Sequence, residues 1–386
     1  MVRALAVLWL CGLALRMTVL AIPPVIPLMH ASFELSQATV AALMSLPVLL
    51  FSFAAIPGSL LVARHGAARV LTAGIVVTAI AGALRGVSPD VSTLFMATFA
   101  MGVGISIMQP ALPSVVRDWV PRKIAIGTAT YSNGLLVGEA LSASLTIPVV
   151  LPLVDGSWRL SVAAWSVPVI LIAVVSWRFR PVASHGALPA RARAALWWPD
   201  WRDPLTWRIG LISGYASSLY FANNAFLPDY LAWRGHPELL NATLSALNWA
   251  QMPASALMLF LAHRLTLRRW PFIALGAVSV VSLAGMLALS DEWVVAFAAV
   301  TGFCNAFLLI LTLALPPMLA RSDDVHRLSA AMIAIGYLCA FLIPIVGGFV
   351  WDFTGSPPMA FAPLFAFAMV AIALAARLDF SRGRAG

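Results

Sequence analysis

The sequence predicts an all-α membrane protein of twelve transmembrane helices arranged as two pseudo-symmetric six-helix bundles. Three observations lead there. The first is composition: 61% of the 386 residues are hydrophobic and 10% are charged, against about 25% charged in a soluble domain, and the mean hydropathy is +0.93. The second is spacing: apolar runs able to cross a ~30 Å hydrocarbon core alternate with short gaps rich in Gly, Pro and charge. The third is charge placement. Of the 24 Lys and Arg residues, Arg85, Arg159 and Arg234 fall in one set of alternate gaps, Arg16 lies inside a run, and all others fall in the opposite set. The positive-inside rule then puts both termini in the cytoplasm, which requires an even number of spans.

The runs lie at 5–29, 38–62, 70–87, 91–117, 124–150, 160–178, 206–231, 242–262, 271–290, 293–319, 329–350 and 358–377. Arg3 followed by apolar Ala4 to Leu15 has the outline of a signal peptide, but the run continues past Arg16 to Met29 without a clear cleavage site and reads as a span. The segment 179–205, with Pro181, Arg191, Arg193 and Trp197-Trp198-Pro199, reads as a cytoplasmic linker. It divides the chain into an N-terminal bundle, 1–178, and a C-terminal bundle, 206–386. Faint self-similarity supports a duplicated unit. Pro27 and Pro228, Arg64 and Arg264, and Pro113 and Pro316 occupy equivalent places in their halves, each pair about 200 residues apart, as in repeat-built transporter folds.

Several function classes are excluded. The net charge of +9 comes almost wholly from arginines scattered through loops, and Lys123 is the single lysine, so a nucleic-acid face is not indicated. Cys11, Cys304 and Cys339 lie in apolar runs without metal or disulfide spacing. There is no Walker loop, no Gly-x-Ser-x-Gly elbow and no His-Glu-x-x-His cluster. No enzyme, metal or cofactor is expected; the partners expected are the bilayer and a small-molecule substrate.

The polar residues inside the runs carry the functional reading. Arg16 falls near the middle of the first run, ahead of Pro23, Pro24 and Pro27. A guanidinium at that depth is costly unless it meets a cavity or a partner, and prolines free backbone carbonyls there. The pairing reads as a device for holding an anion. Glu139 is the one acid deep inside a run, and it reads either as a proton-coupling group or as an ion-pair partner of Arg16. Gln109, in the fourth run, offers an amide to an anion. In the seventh run Tyr215, Ser217, Ser218, Tyr220, Asn223 and Asn224 are crowded together, a density that points to an aqueous cavity. Tyr220 and Asn224 share a helix face, with Asn223 beside them. Asn305, Asn248 and Gln251 are further candidates.

These features resemble the major facilitator superfamily, and within it the branch of cyanate permeases and nitroimidazole exporters. The resemblance rests on Arg16 before the proline-rich end of the first run, on Gly102-Val103-Gly104-Ile105-Ser106-Ile107-Met108-Gln109-Pro110-Ala111-Leu112-Pro113-Ser114, on Gly214 to Ser218 with Leu227-Pro228, and on the central basic loop. It implies a major facilitator fold, alternating access at a site between two bundles, an inner-membrane location, a monomer, and small, often anionic or nitrogen-rich substrates. The superfamily's loop between spans two and three reads Gly-x-Leu-x-Asp-Arg-x-Gly-Arg. Here Arg64 and Gly66 match it, as gating-loop residues, while Ala63 stands where the acid belongs.

The function expected is secondary transport of a small anion, cyanate-like or organic, with protons coupled through Glu139 in one reading. Arg16, Gln109, Tyr220, Asn223, Asn224 and Asn305 are expected to bind the substrate. The alternatives are efflux of a small neutral heterocycle and, in another class, a non-transporting membrane sensor or scaffold.

Overall fold

The structure is a computed structural model that describes residues 1–33, 37–179, 197–289, 291–321 and 324–380. Residues 180–196 of the expected linker lie outside this set. All regular structure among the described residues is helical. Ten described helices are long and apolar enough to cross a membrane, and the bent pair Leu46–Phe53 and Ala55–His65 makes an eleventh crossing. The 30-residue helix Pro204–Trp233 supplies the twelfth. Its crowded polar residues keep it from being as apolar as the others. These crossings follow the order of the expected runs and shift their ends by a few residues.

Several crossings depart from the expected single helices, and the first two do so for local reasons. The first span is broken: Val2–Ala14 is helical, Met17–Leu20 forms one further turn, Pro23–Val25 is a 3-10 turn, and Ile26–Phe33 resumes the helix. At the first break the amides of Leu15 and Arg16 bond back three residues, to the carbonyls of Gly12 and Leu13. This tighter winding leaves Arg16 at φ −124°, ψ −23°, outside the helical basin. At the second break Pro23 and Pro24 have no N–H to offer the preceding turn. The second span bends by 50° at Ala54, where Pro57 cannot donate to the carbonyl of Phe53. Some helix entries elsewhere carry side-chain caps. Asp90 accepts from the Thr93 amide at 2.8 Å, and Asp203, followed by Pro204, accepts from the Leu205 amide at 3.0 Å.

The chain divides into two compact units: 1–199 with 321–330, and 200–320 with 331–386. In the first unit, the first and fifth spans meet backbone to backbone. A Cβ on Gly12 would strike the carbonyl of Tyr131, and one on Gly134 the carbonyl of Trp9. A Cβ on Gly138 would lie 2.6 Å from the carbonyl of Leu13. Such contact is the membrane form of close helix association, in which small residues and cross-helix hydrogen bonds do the holding. The Trp9 indole adds one such bond, donating to Asn133 Oδ1 at 2.8 Å. The third and fourth spans repeat the device at Gly74 and Gly104. In the second unit Gly302 lies against the Leu247 carbonyl, and hydroxyl pairs Tyr215–Ser279 (2.6 Å) and Ser282–Thr301 (2.9 Å) tie neighbouring helices.

Large apolar side chains such as Phe99, Phe260, Phe349 and Met369 are exposed, as lipid-facing positions require. The interior contacts at glycine allow no such bulk. Gly134→Leu should therefore cost about 3 kcal/mol or more by overpacking, read as loss of a monodisperse peak and a lowered unfolding temperature, while Phe260→Leu should leave both near wild type.

Candidate functional site

The sequence candidates fall into two groups, one in each unit. In the first unit, Arg16 is half-buried at the break in the first span, its guanidinium carbon 5.6 Å from the centre of the Phe51 ring. The cation faces the aromatic surface, a contact that strengthens as water is withdrawn. One turn before it, Leu13 touches Gly138, the residue preceding Glu139. Helical contact thus brings Arg16 and Glu139 to the same level of the bundle. Glu139 is half-buried on the helix Ile124–Leu145. Gln109 is half-buried on the helix Val91–Trp119, and its amide nitrogen is buried without a hydrogen-bond partner in the protein. Buried amides without partners are uncommon.

Arg64 and Gly66 close the helix Ala55–His65. Gly66 adopts φ +84°, ψ 147°, which glycine accommodates and other residues resist. It also begins the helix Ala67–Gly86, so it forms the corner between the second and third spans. Arg64 is exposed there.

In the second unit, Tyr220 donates from its phenol to Asn248 Oδ1 at 3.1 Å, and Gln251 donates to the same oxygen at 3.5 Å. Asn224 is half-buried and donates to the Tyr220 carbonyl at 2.9 Å. The structure therefore joins Tyr220 to Asn248 and Gln251, across the seventh and eighth spans. Asn223 is fully buried; its nitrogen donates to the Leu219 carbonyl at 2.7 Å and its side-chain oxygen has no partner in the protein. Asn305 is also buried with an unpartnered side-chain oxygen. Tyr215 and Ser218, in the same crowded stretch, are buried within the unit: Tyr215 pairs with Ser279 and is wedged edge-on against Phe367. A phenol buried with a hydroxyl partner packs helices together.

One polar residue escaped sequence reading. Arg85, counted there as a loop charge, is buried in the helix Ala67–Gly86 with 1% exposure. It donates to the Thr18 carbonyl at 2.8 Å. The signal available in the sequence was its attachment to an unbroken apolar run, with small Gly82 and Gly86 on either side.

Among the described residues there is no group of His, Cys, Asp or Glu that could hold a metal. Broken apolar helices whose buried amides and phenols, and whose arginines Arg16 and Arg85, lie within the spans define a polytopic membrane transporter. The Major Facilitator Superfamily family model matches residues 8–287, and the chain belongs to that superfamily. It is 27% identical to the cyanate transport protein CynX of Escherichia coli over 364 residues, covering 93% of this chain and 92% of that one. It is likewise 27% identical to a 2-nitroimidazole transporter of the same organism over 378 residues, covering 95% and 93%. Among solved structures it resembles the transporter FucP in an outward conformation, with a TM-score of 0.76, 14% identity, and coverage of 97% and 98%. That likeness is one of fold. The chain is thus a multi-pass membrane transporter of a small-molecule substrate, not an enzyme.

Removing the Tyr220 hydroxyl frees Asn248 from one of its two donors. Tyr220→Phe should lower unfolding free energy by about 1 kcal/mol, measured by thermal unfolding of the purified protein. Tyr215→Phe should cost more, because it leaves the fully buried Ser279 hydroxyl without its cross-helix partner.

Proposed function

We propose that this chain is a secondary active transporter of a small monovalent anion, working by alternating access in an inner membrane with both termini cytoplasmic. The observation that carries the reading is Arg16: a cation held at a break in the first span, at membrane depth, with its guanidinium against Phe51. A helix interrupted at a charged residue presents both the charge and loosened backbone to a solute, as discontinuous helices do in transporters. In this reading Arg16 supplies charge and Gln109 supplies a hydrogen bond from the first half of the chain. Tyr220, Asn223, Asn224 and Asn305 supply hydrogen bonds from the second. The halves are 1–178 and 206–386, joined by the cytoplasmic segment 179–205, and the protein works as a monomer.

Charge-assisted hydrogen bonds are the strong ones, and leaving them unmade in a dry site is costly. Occupancy therefore favours closure around the solute, and the two halves then reopen on the other side. Arg64 and Gly66 form the gating corner between the second and third spans. Glu139 takes up one proton for each anion and releases it on the opposite side, which makes the cycle electroneutral. The resemblance to a cyanate transport protein supports a compact anion as substrate. A second reading, efflux of a neutral heterocycle, is favoured by the equally similar 2-nitroimidazole transporter. The repulsion Arg16 exerts speaks against cationic cargo in either case.

Purified protein in liposomes tests this. Cyanate counterflow should be present in wild type and fall about 10- to 100-fold in Arg16→Ala, the loss of one charge-assisted hydrogen bond. Equal counterflow in the two proteins refutes the anion role of Arg16. Counterflow of 2-nitroimidazole without cyanate transport assigns the chain to the second reading. Glu139→Gln should keep counterflow and lose accumulation driven by a pH gradient; retained accumulation refutes the coupling role.

A further inference from the structure

Two arginine pairs lie outside the residues assigned to transport, one pair in each unit. In the first unit, Arg3 lies at the start of the helix Val2–Ala14 and Arg178 at the end of the helix Ser166–Phe179. Their guanidinium carbons lie 5.0 Å and 5.8 Å from the centre of the same Phe179 ring. All three residues are exposed. Among the described residues no acidic side chain pairs with either arginine. Like charges repel, so gathering two at one ring is unfavourable until an anion joins them. A third arginine stands at their level. The Thr72 and Ser176 hydroxyls are 3.2 Å apart, and Arg69 and Phe179 each lie one turn further toward the same side.

The second unit repeats the pattern on the corresponding helices. Arg208, near the start of the helix Pro204–Trp233, donates from Nη1 to the Arg377 carbonyl at 2.9 Å, at the end of the helix Ala362–Ala376. Gly276 lies against Ile372, which brings Arg269, at the start of the helix Arg269–Ala288, to about the level of Arg377. Asp379, close by in sequence, does not pair with Arg377. Arg178 and Arg377, like Arg69 and Arg269, are separated by the interval of the duplicated unit. Exposed tryptophans, Trp177 and Trp207, sit beside Arg178 and Arg208. Membrane topology alone does not require this arrangement. The positive-inside bias counts charges on one side; it does not ask two of them to share a ring, or both halves to place them alike.

We propose that each unit holds a surface site for the phosphate of an anionic phospholipid headgroup. Arg3 and Arg178, at Phe179, form the site in the first unit, and Arg208 and Arg377 form its counterpart in the second. Arg69 and Arg269 add charge at the same level. The planar guanidinium fork matches phosphate oxygens. Helix ends flanked by exposed tryptophan lie at headgroup level, where clustered arginine attracts anionic lipid. The ligand approaches from the bilayer surface, so the sites need no cavity within the protein. They do not depend on the role of Arg16 in transport.

Thermal unfolding of the purified protein in dodecyl maltoside micelles tests this, with phosphatidylglycerol, phosphatidylcholine or inorganic phosphate titrated in turn. A lipid bound by the folded state alone raises the unfolding temperature until it saturates. Wild type should show that rise with phosphatidylglycerol only. Arg3→Gln/Arg178→Gln and Arg208→Gln/Arg377→Gln should each keep part of the rise, and the quadruple variant none. Arg122→Gln/Lys123→Gln removes the same charge from exposed positions between the fourth and fifth spans and should keep the full rise. Native mass spectrometry reads the same sites without unfolding: wild type should retain one more phosphatidylglycerol than either double variant. The proposal is overturned by a wild type indifferent to phosphatidylglycerol, or by an equal rise with phosphatidylcholine or inorganic phosphate. A full rise in either double variant, or any rise in the quadruple variant, also overturns it. So does an equal loss in Arg122→Gln/Lys123→Gln, because total charge then accounts for the effect.

Discussion

Backbone contact between the first and fifth spans is the constraint on which the first unit depends. Gly12, Gly134 and Gly138 bring the main chains of these helices together at Tyr131, Trp9 and Leu13. Lipid gives two apolar helices no hydrophobic reason to associate, so close approach and hydrogen bonds must supply the association. The glycine contacts lie before the point where the first span breaks. Up to Leu13 the helix is clamped; from Arg16 onward its winding changes and its carbonyls need other donors. Arg85 meets one of these needs by reaching the Thr18 carbonyl. A helix in lipid can lose its regular hydrogen bonds only where protein groups or a polar cavity replace them. The break at Arg16 is flanked by the fifth span on one side and, at the Thr18 carbonyl, by Arg85 on the other.

Much of the fold was legible in the sequence. Crossing segments declare themselves through length and hydropathy, quantities that tertiary contact scarcely alters, and their order followed directly. The seventh span was harder by composition alone, because Tyr215 to Asn224 dilute its apolar content, yet its flanking Asp203-Pro204 cap and its length mark it. The three prolines of the first span announced irregular backbone. They did not announce the tighter winding upstream at Leu13 to Arg16, which no proline causes.

The polar interior was legible in part. Hydropathy reading flags a charge in the middle of a run, as it flagged Arg16 and Glu139, and assigns a charge at the end of a run to a loop, as it misassigned Arg85. Residue spacing placed Tyr220 and Asn224 on one face but could not show that Tyr220 bonds to Asn248, since that contact joins separate helices. Nor could it separate Tyr215, which packs against Ser279 and Phe367, from its polar neighbours. Polar density says that a helix has internal work to do; which residues seal the bundle and which meet solute depends on rotation about the helix axis.

The transport account needs the position of Arg16 to be reached by water from one side of the membrane. With Cys11, Cys304 and Cys339 replaced by alanine, Arg16→Cys should react with a membrane-impermeant, positively charged methanethiosulfonate reagent added from one side. Leu13→Cys, one turn earlier and buried against the fifth span, should stay unmodified. A position 16 thiol that resists the reagent from both sides, in a protein that is folded and inserted, contradicts the account.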